Sequence, residues 1–68
     1  MISHTKEFGI YHWDTFDNET ILIDEAMTLD EATNIVQAIY KGRIRGDGAD
    51  IVEIVGKYGN IVAKFNVG

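Results

Sequence analysis

The side chains that carry most enzyme chemistry are scarce in this sequence. Ser3 is the only serine, the histidines are His4 and His12, and there is no cysteine. Nucleophilic catalysis needs a hydroxyl or thiol held against a base that a third group orients. Ser3 and His4 lie in a terminus that is expected to fray, and His12 has no partner at a fixed spacing. The sequence therefore predicts no catalytic residue, and both His4 and His12 are interpreted as satisfied or solvated histidines.

The acidic residues do not suggest a metal or acid–base site either. Asp24 and Glu25, like Asp30 and Glu31, are adjacent in sequence, so the two carboxylates of each pair point in different directions and cannot share a proton. The segment 46–50 (Gly-Asp-Gly-Ala-Asp) lacks the ligand run and terminal glutamate of an EF-hand, and its glycine spacing fits no phosphate-binding loop. We expect no metal site and no cofactor.

Length and composition narrow the function further. The chain has 68 residues, 46% of them hydrophobic, and a net charge of −5. It is expected to be one domain, residues 1–68, with a small core that favours a partner. The acidic balance makes direct nucleic-acid binding unlikely. The lack of cysteine, of a long apolar run and of a signal-peptide pattern predicts a cytoplasmic protein with no membrane contact.

The elements that must position these residues can be read from composition and periodicity. Residues 8–13 and 20–23 are rich in strand formers, and the turn formers of residues 14–19 separate them into a hairpin. Thr28 and Glu31 form a capping box that starts a helix from about Leu29 to Lys41, with Gly42 at its C-terminal cap. The apolar stripe of this helix is Leu29, Ala32, Ile35, Val36, Ile39 and Tyr40.

A second hairpin follows, and its register can be predicted from its side chains. A turn centred on Tyr58 and Gly59 places Glu53 opposite Lys64, while apolar residues meet on the other face. The order ββαββ then predicts an α+β fold of two layers, with one helix packed on a four-stranded, mostly antiparallel sheet. The strand order stays open. The face under the helix would carry Phe8, Ile10, Ile21, Ile23, Val52, Ile54, Ala63 and Phe65.

One helix covers only one side of a sheet, so the residues of opposite parity form an open face. Tyr and Trp are enriched at interaction hot spots, and Tyr11 and Trp13 are the predicted anchors, with Leu22 and Val62 beside them. The alternative is ordinary apolar exposure of an antiparallel sheet. A homodimer is the simplest version of an interface here. The predicted open face is Tyr11, Trp13, Leu22, Asp24, Ile51, Glu53, Val55, Val62 and Lys64.

Charge is distributed unevenly along the chain. Residues 14–31 contain seven acids and no lysine or arginine, and a basic run follows the helix at Lys41, Arg43 and Arg45. One interpretation is internal compensation, because the helix would return the basic run to the first hairpin turn at Asp14, Asp17 and Glu19. The other is an acidic surface that binds a basic protein partner. That surface would consist of Asp24, Glu25, Asp30 and Glu31.

The run from Ile21 to Ile35 joins a strand that ends in Ile23-Asp24-Glu25-Ala26 to a capped helix. It resembles a pattern in small phage-encoded ββαββ proteins, among them some anti-CRISPR inhibitors of similar length. The resemblance implies a non-enzymatic inhibitor that binds a host protein through its surface. The sequence thus predicts an interaction module that contacts its partner through the acidic surface or the open face. The alternative is a small structural or accessory homodimer.

Overall fold

A computed structural model of the protein describes residues 4–68. Two antiparallel hairpins flank one helix, and the four strands form a single sheet in the order β2-β1-β3-β4. The helix packs against three of the four strands. This confirms the two-layer α+β fold and supplies the strand order that the sequence left open. The elements are β1 (Phe8–Asp14), β2 (Glu19–Ala26), α1 (Leu29–Ile39), β3 (Asp50–Gly56) and β4 (Ile61–Val67).

The helix begins at the predicted cap and ends earlier than predicted. The Thr28 hydroxyl accepts a hydrogen bond from the Glu31 backbone N–H at 3.1 Å, which satisfies one of the free donors of the first turn. At the other end Tyr40 leaves the helical conformation, so Lys41 lies outside the helix. Gly42 has a φ of 76°, the left-handed conformation that glycine adopts without a Cβ clash.

The core lies between the helix and the two central strands. Ile10, Val52 and Ile54 from the sheet are fully buried against Ala32 and Val36 of α1. Four of the other predicted core positions are partly buried against this cluster: Phe8, Ile23, Ala63 and Phe65. Ile21, Leu29 and Ile39 are exposed instead, at the edge strand and on helix positions turned away from the sheet. Ala26, Tyr40 and Val67 complete the core.

The predicted register of the second hairpin is confirmed. Glu53 pairs with Lys64, Ile54 with Ala63, and Val52 with Phe65. The alternation is then interrupted by an irregularity at which Val55 pairs with Ile61, so Val62 is the extra residue of β4.

A second bulge changes the prediction for Asp24. In β2 the register shifts between the partners of Ile10 and Tyr11, so that Asp24 pairs with Ile10 and Leu22 pairs with Tyr11. Ile23 is the extra residue and packs against the core. Asp24 was expected on the open face, but simple alternation fails at a bulge, and Asp24 falls in line with the core residue Ile10. Its side chain is exposed at the sheet edge.

The helix α1 has 11 residues, and within residues 4–68 no helix is both long and apolar enough to cross a membrane.

Candidate functional site

The open face is the side of the sheet opposite α1. Ile10 and His12 of β1 point toward the helix, so Tyr11 and Trp13 between them point away from it. Across the sheet, Tyr11 lies between Leu22 and Glu53, and Trp13 lies beside Ile51. The face is therefore largely apolar along its centre, with the Glu53 and Lys64 pair toward the β4 edge. The predicted anchors are not under the helix.

The side chains of the open face are less exposed to solvent than the sequence suggested. Tyr11, Trp13, Leu22, Ile51 and Val55 are all partly buried, because side chains on neighbouring strands cover one another. Val62 and Lys64 are exposed, and they flank Ala63, which packs against the core, so both lie on the open face.

The N-terminal strap, residues 4–7, covers one end of the open face. His4 was expected to fray with the terminus, but it is only 7% exposed, and its Nδ1 lies 2.8 Å from the Tyr11 hydroxyl. Ser3, of which the same was expected, lies outside the described residues. A Cβ on Gly9 would come within 2.4 Å of this Nδ1, so the missing side chain of Gly9 makes room for the imidazole. The Nε2 of His4 is buried and has no hydrogen-bond partner in the part of the chain that the structure describes.

Glu25 anchors the N-terminal strap to β2. One oxygen of its carboxylate accepts hydrogen bonds from the backbone N–H groups of Thr5 at 2.6 Å and Lys6 at 3.0 Å. These bonds stabilise the ionised form, so they lower the pKa of Glu25 below its usual value.

The structure divides the predicted acidic surface. Glu25 is engaged by the strap, and an oxygen of Asp24 accepts the Glu25 backbone N–H at 2.7 Å. Asp30 and Glu31 are exposed in the first turn of α1, where negative charge complements the helix dipole. These four residues therefore do not present four equivalent free carboxylates to a partner.

A polar network that the sequence did not predict lies at the opposite end of β1, under the end of the helix. The Nδ1 of His12 is 2.6 Å from the Tyr40 hydroxyl, and its Nε2 is 2.9 Å from an Asp50 carboxylate oxygen. Because the Asp50 carboxylate can only accept, the Nε2–H donates to it, and in neutral His12 the Tyr40 hydroxyl donates to Nδ1. The hydrogen bond from His12 lowers the pKa of Asp50, and burial raises the pKa of Tyr40.

This network joins three elements rather than forming an open reaction site. A histidine between a carboxylate and a hydroxyl has the order of groups found in hydrolase triads. Here, however, the hydroxyl belongs to Tyr40, which is 3% exposed and part of the core, so a substrate has no access to it. The network holds β1, the end of α1 and β3 together.

Sequence reasoning could not pair His12 with its partners. Tyr40 and Asp50 lie 28 and 38 residues away along the chain, so no short motif contains them. One signal was present: His12 shares the parity of Ile10, and it is therefore a polar side chain on the covered face. Such a side chain needs a partner.

The basic run compensates charge differently from the prediction. The Nε of Arg43 donates to the Gly68 carbonyl at 2.9 Å, and its guanidinium lies 5.4 Å from the centre of the Tyr40 ring. Arg45 pairs with Asp47 at 3.0 Å in its own loop. Among residues 4–68 the salt bridges are this one and His12–Asp50, so none joins the basic run to Asp14, Asp17 or Glu19.

Within residues 4–68 no group of three or more histidine, cysteine or acidic side chains is placed to hold a metal ion. Comparison with known proteins adds no relative: no family model, no curated protein and no solved structure matches the chain.

Proposed function

We propose that this protein is a non-enzymatic protein–protein interaction module whose contact surface is the open face. The observation that supports this proposal is the placement of Tyr11 and Trp13 on a sheet face that the helix leaves uncovered. A partner would add to the burial of rings that are already held in place, so little side-chain entropy is lost on binding.

The surroundings of the two rings favour a protein partner. Leu22, Ile51 and Val62 extend the apolar contact across all four strands, and Glu53 with Lys64 provides a charged pair that can orient the partner. A nucleic-acid partner would meet a chain of net charge −5.

Inhibition of a host protein is the more specific form of this proposal. It is supported by the resemblance to small phage-encoded inhibitors and by the acidic surface, of which Asp24, Asp30 and Glu31 are exposed. On this proposal the acids guide association with a basic partner and the open face supplies the contact area.

The proposal is tested by comparing what the tagged chain and its variants retain from a lysate of the source cells. The open-face variant is Tyr11→Ala with Trp13→Ala, and Val62→Glu is a second variant that leaves both rings in place. Tyr58→Ala is the matched control, because Tyr58 is an exposed aromatic in the turn between β3 and β4 and not on the open face.

We expect a protein that the wild type and the control retain and that both open-face variants lose. Circular dichroism must show that the variants are folded. A set of retained proteins that is the same for all four chains, or no retained protein at all, contradicts the proposal. Light scattering of the wild type tests the alternative, a homodimer formed through the open face, which predicts that Val62→Glu is monomeric.

A further inference from the structure

A second surface lies at the end of the molecule where the first hairpin turns. We call it the hairpin end: residues 14–19 together with residues 41–47, which follow the helix. The two segments are neighbours, because the Thr15 hydroxyl donates to the Ala49 carbonyl at 2.8 Å and Ile44 bridges to Val67, the partner of Asp50. The hairpin end borders the open face at Trp13, whose indole N–H donates to the Asn18 side-chain oxygen at 3.4 Å, and the other open-face residues lie outside it.

Phe16 is the most exposed large apolar residue within residues 4–68, with 94% of its surface accessible to solvent. The turn that carries Phe16 is held by hydrogen bonds. One oxygen of Asp14 accepts the backbone N–H groups of Phe16 at 3.0 Å and of Asp17 at 3.3 Å, and Asn18 has the left-handed φ of 55° that closes the turn. The exposed Phe16 ring is thus carried on a turn whose backbone is preorganised.

The two halves of the hairpin end carry opposite charge. The turn around Phe16 contributes Asp14, Asp17 and Glu19, without a basic residue. The loop beside it contributes three bases, Lys41, Arg43 and Arg45, against one acid, Asp47. Asp47 pairs with Arg45 at 3.0 Å, so Lys41 and Arg43 carry the excess positive charge of this half. The loop also exposes the apolar side chain of Ile44.

We propose that the hairpin end is a self-association surface through which two copies of this chain form a two-fold symmetric dimer. In such a dimer the same patch contacts itself, so each contact between two different residues occurs twice. A surface with an acidic half and a basic half side by side fulfils this condition, since a two-fold rotation places the acidic turn of one copy on the basic loop of the other. Phe16 of each copy then lies against Ile44 of its partner.

The dimer is weak, because the contact is small. A standard interface takes about 800 Å² from each partner, and the whole chain has an accessible surface of 4447 Å². A contact restricted to one end covers less than the standard area, and we expect a weak, transient dimer. The residues assigned to this dimer contact are not those assigned to partner binding, so the dimer does not depend on the proposed function.

Sedimentation equilibrium of the full chain between about 10 μM and 1 mM provides the first test. The wild type is expected to associate in this range. Phe16→Ala weakens association at least tenfold, as for a central aromatic anchor. Tyr58→Ala is the matched control: this side chain is 87% exposed in the other hairpin's turn, and its removal leaves the dissociation constant unchanged. A monomeric wild type, or equal effects of the two variants, overturns the proposal.

Charge reversal provides the second test. In the dimer of Asp17→Lys, the new lysine of each copy faces the basic loop of the other copy. In the dimer of Lys41→Glu, the new glutamate of each copy faces the acidic turn of the other copy. Each variant therefore brings like charges together at two symmetric contacts. Each variant alone is expected to be monomeric at concentrations where the wild type associates. An equimolar mixture of the two restores association, because both contacts then join opposite charges.

Higher salt weakens the wild-type dimer, since the attracting groups are exposed. A mixture that stays monomeric while circular dichroism shows both variants folded overturns the proposal. These variants leave Tyr11 and Trp13 untouched, so failure here is distinguishable from failure of the proposed function.

Discussion

Replacing Tyr40 with phenylalanine tests the role of the buried polar network. The substitution removes one hydroxyl and keeps the ring, so the core packing and the contact with Arg43 remain. The lost group is the 2.6 Å partner of His12 Nδ1. Leaving a buried polar atom without a partner costs about 1–3 kcal/mol. The His12 side chain is 18% exposed, so water partly replaces the hydroxyl, and we expect the lower half of this range, about 1–2 kcal/mol.

This loss of unfolding free energy is large for so small a domain. One kcal/mol shifts the melting temperature by roughly 4–8 °C in a chain of this size. Urea unfolding followed by far-UV circular dichroism measures the free-energy difference, and thermal unfolding checks it. Tyr58→Phe is the matched control, because the exposed Tyr58 ring takes no part in the core. Equal stability of Tyr40→Phe and the wild type would refute the claim that the network joins the three elements.

Three further predictions concern the strap, the acid limit of stability and the helix end. Gly9→Ala pushes the His4 ring off the sheet, because the new Cβ would lie 2.4 Å from Nδ1; the His4 imidazole resonances in NMR should then become those of a solvated histidine. Glu25 and Asp50 have lowered pKa values in the folded state, so the stability they contribute is complete above about pH 4.5 and is lost as the pH falls through their folded-state pKa values. Urea midpoints measured from pH 7 to pH 2 should therefore fall at the acid end of this range. Asp50→Asn should make that fall smaller. Gly42→Ala lowers the free energy of unfolding by about 1 kcal/mol because of the positive φ alone, since nothing lies within 4 Å of the new Cβ. Urea unfolding that showed no loss of stability would contradict this prediction.

Local chemistry made the elements predictable. The Thr28 cap acts within one turn of helix, and the facing charges of Glu53 and Lys64 specify a register that only two strands share. Both features depend on residues close in sequence or on a single hairpin. The existence of the open face followed in the same way, from strand parity and the presence of only one helix.

The missing parts depend on contacts between distant segments. Nothing local indicates that His12 meets Tyr40 and Asp50, or that Glu25 binds the backbone of residues 5 and 6. Bulges are equally hard to foresee, since a single extra residue at Ile23 reverses the parity on which the placement of Asp24 depended.

Binding at the open face can be followed at Trp13, which is the only tryptophan in the chain. Labelling with 5-fluorotryptophan places one fluorine-19 resonance on the open face, and its signal can be followed in buffer and in a lysate of the source cells. If the open face binds a protein partner, the resonance shifts or broadens in the lysate. Excess unlabelled wild type then restores the resonance, and excess unlabelled Val62→Glu does not. An identical resonance in buffer and lysate would contradict the claim that this face binds a protein partner.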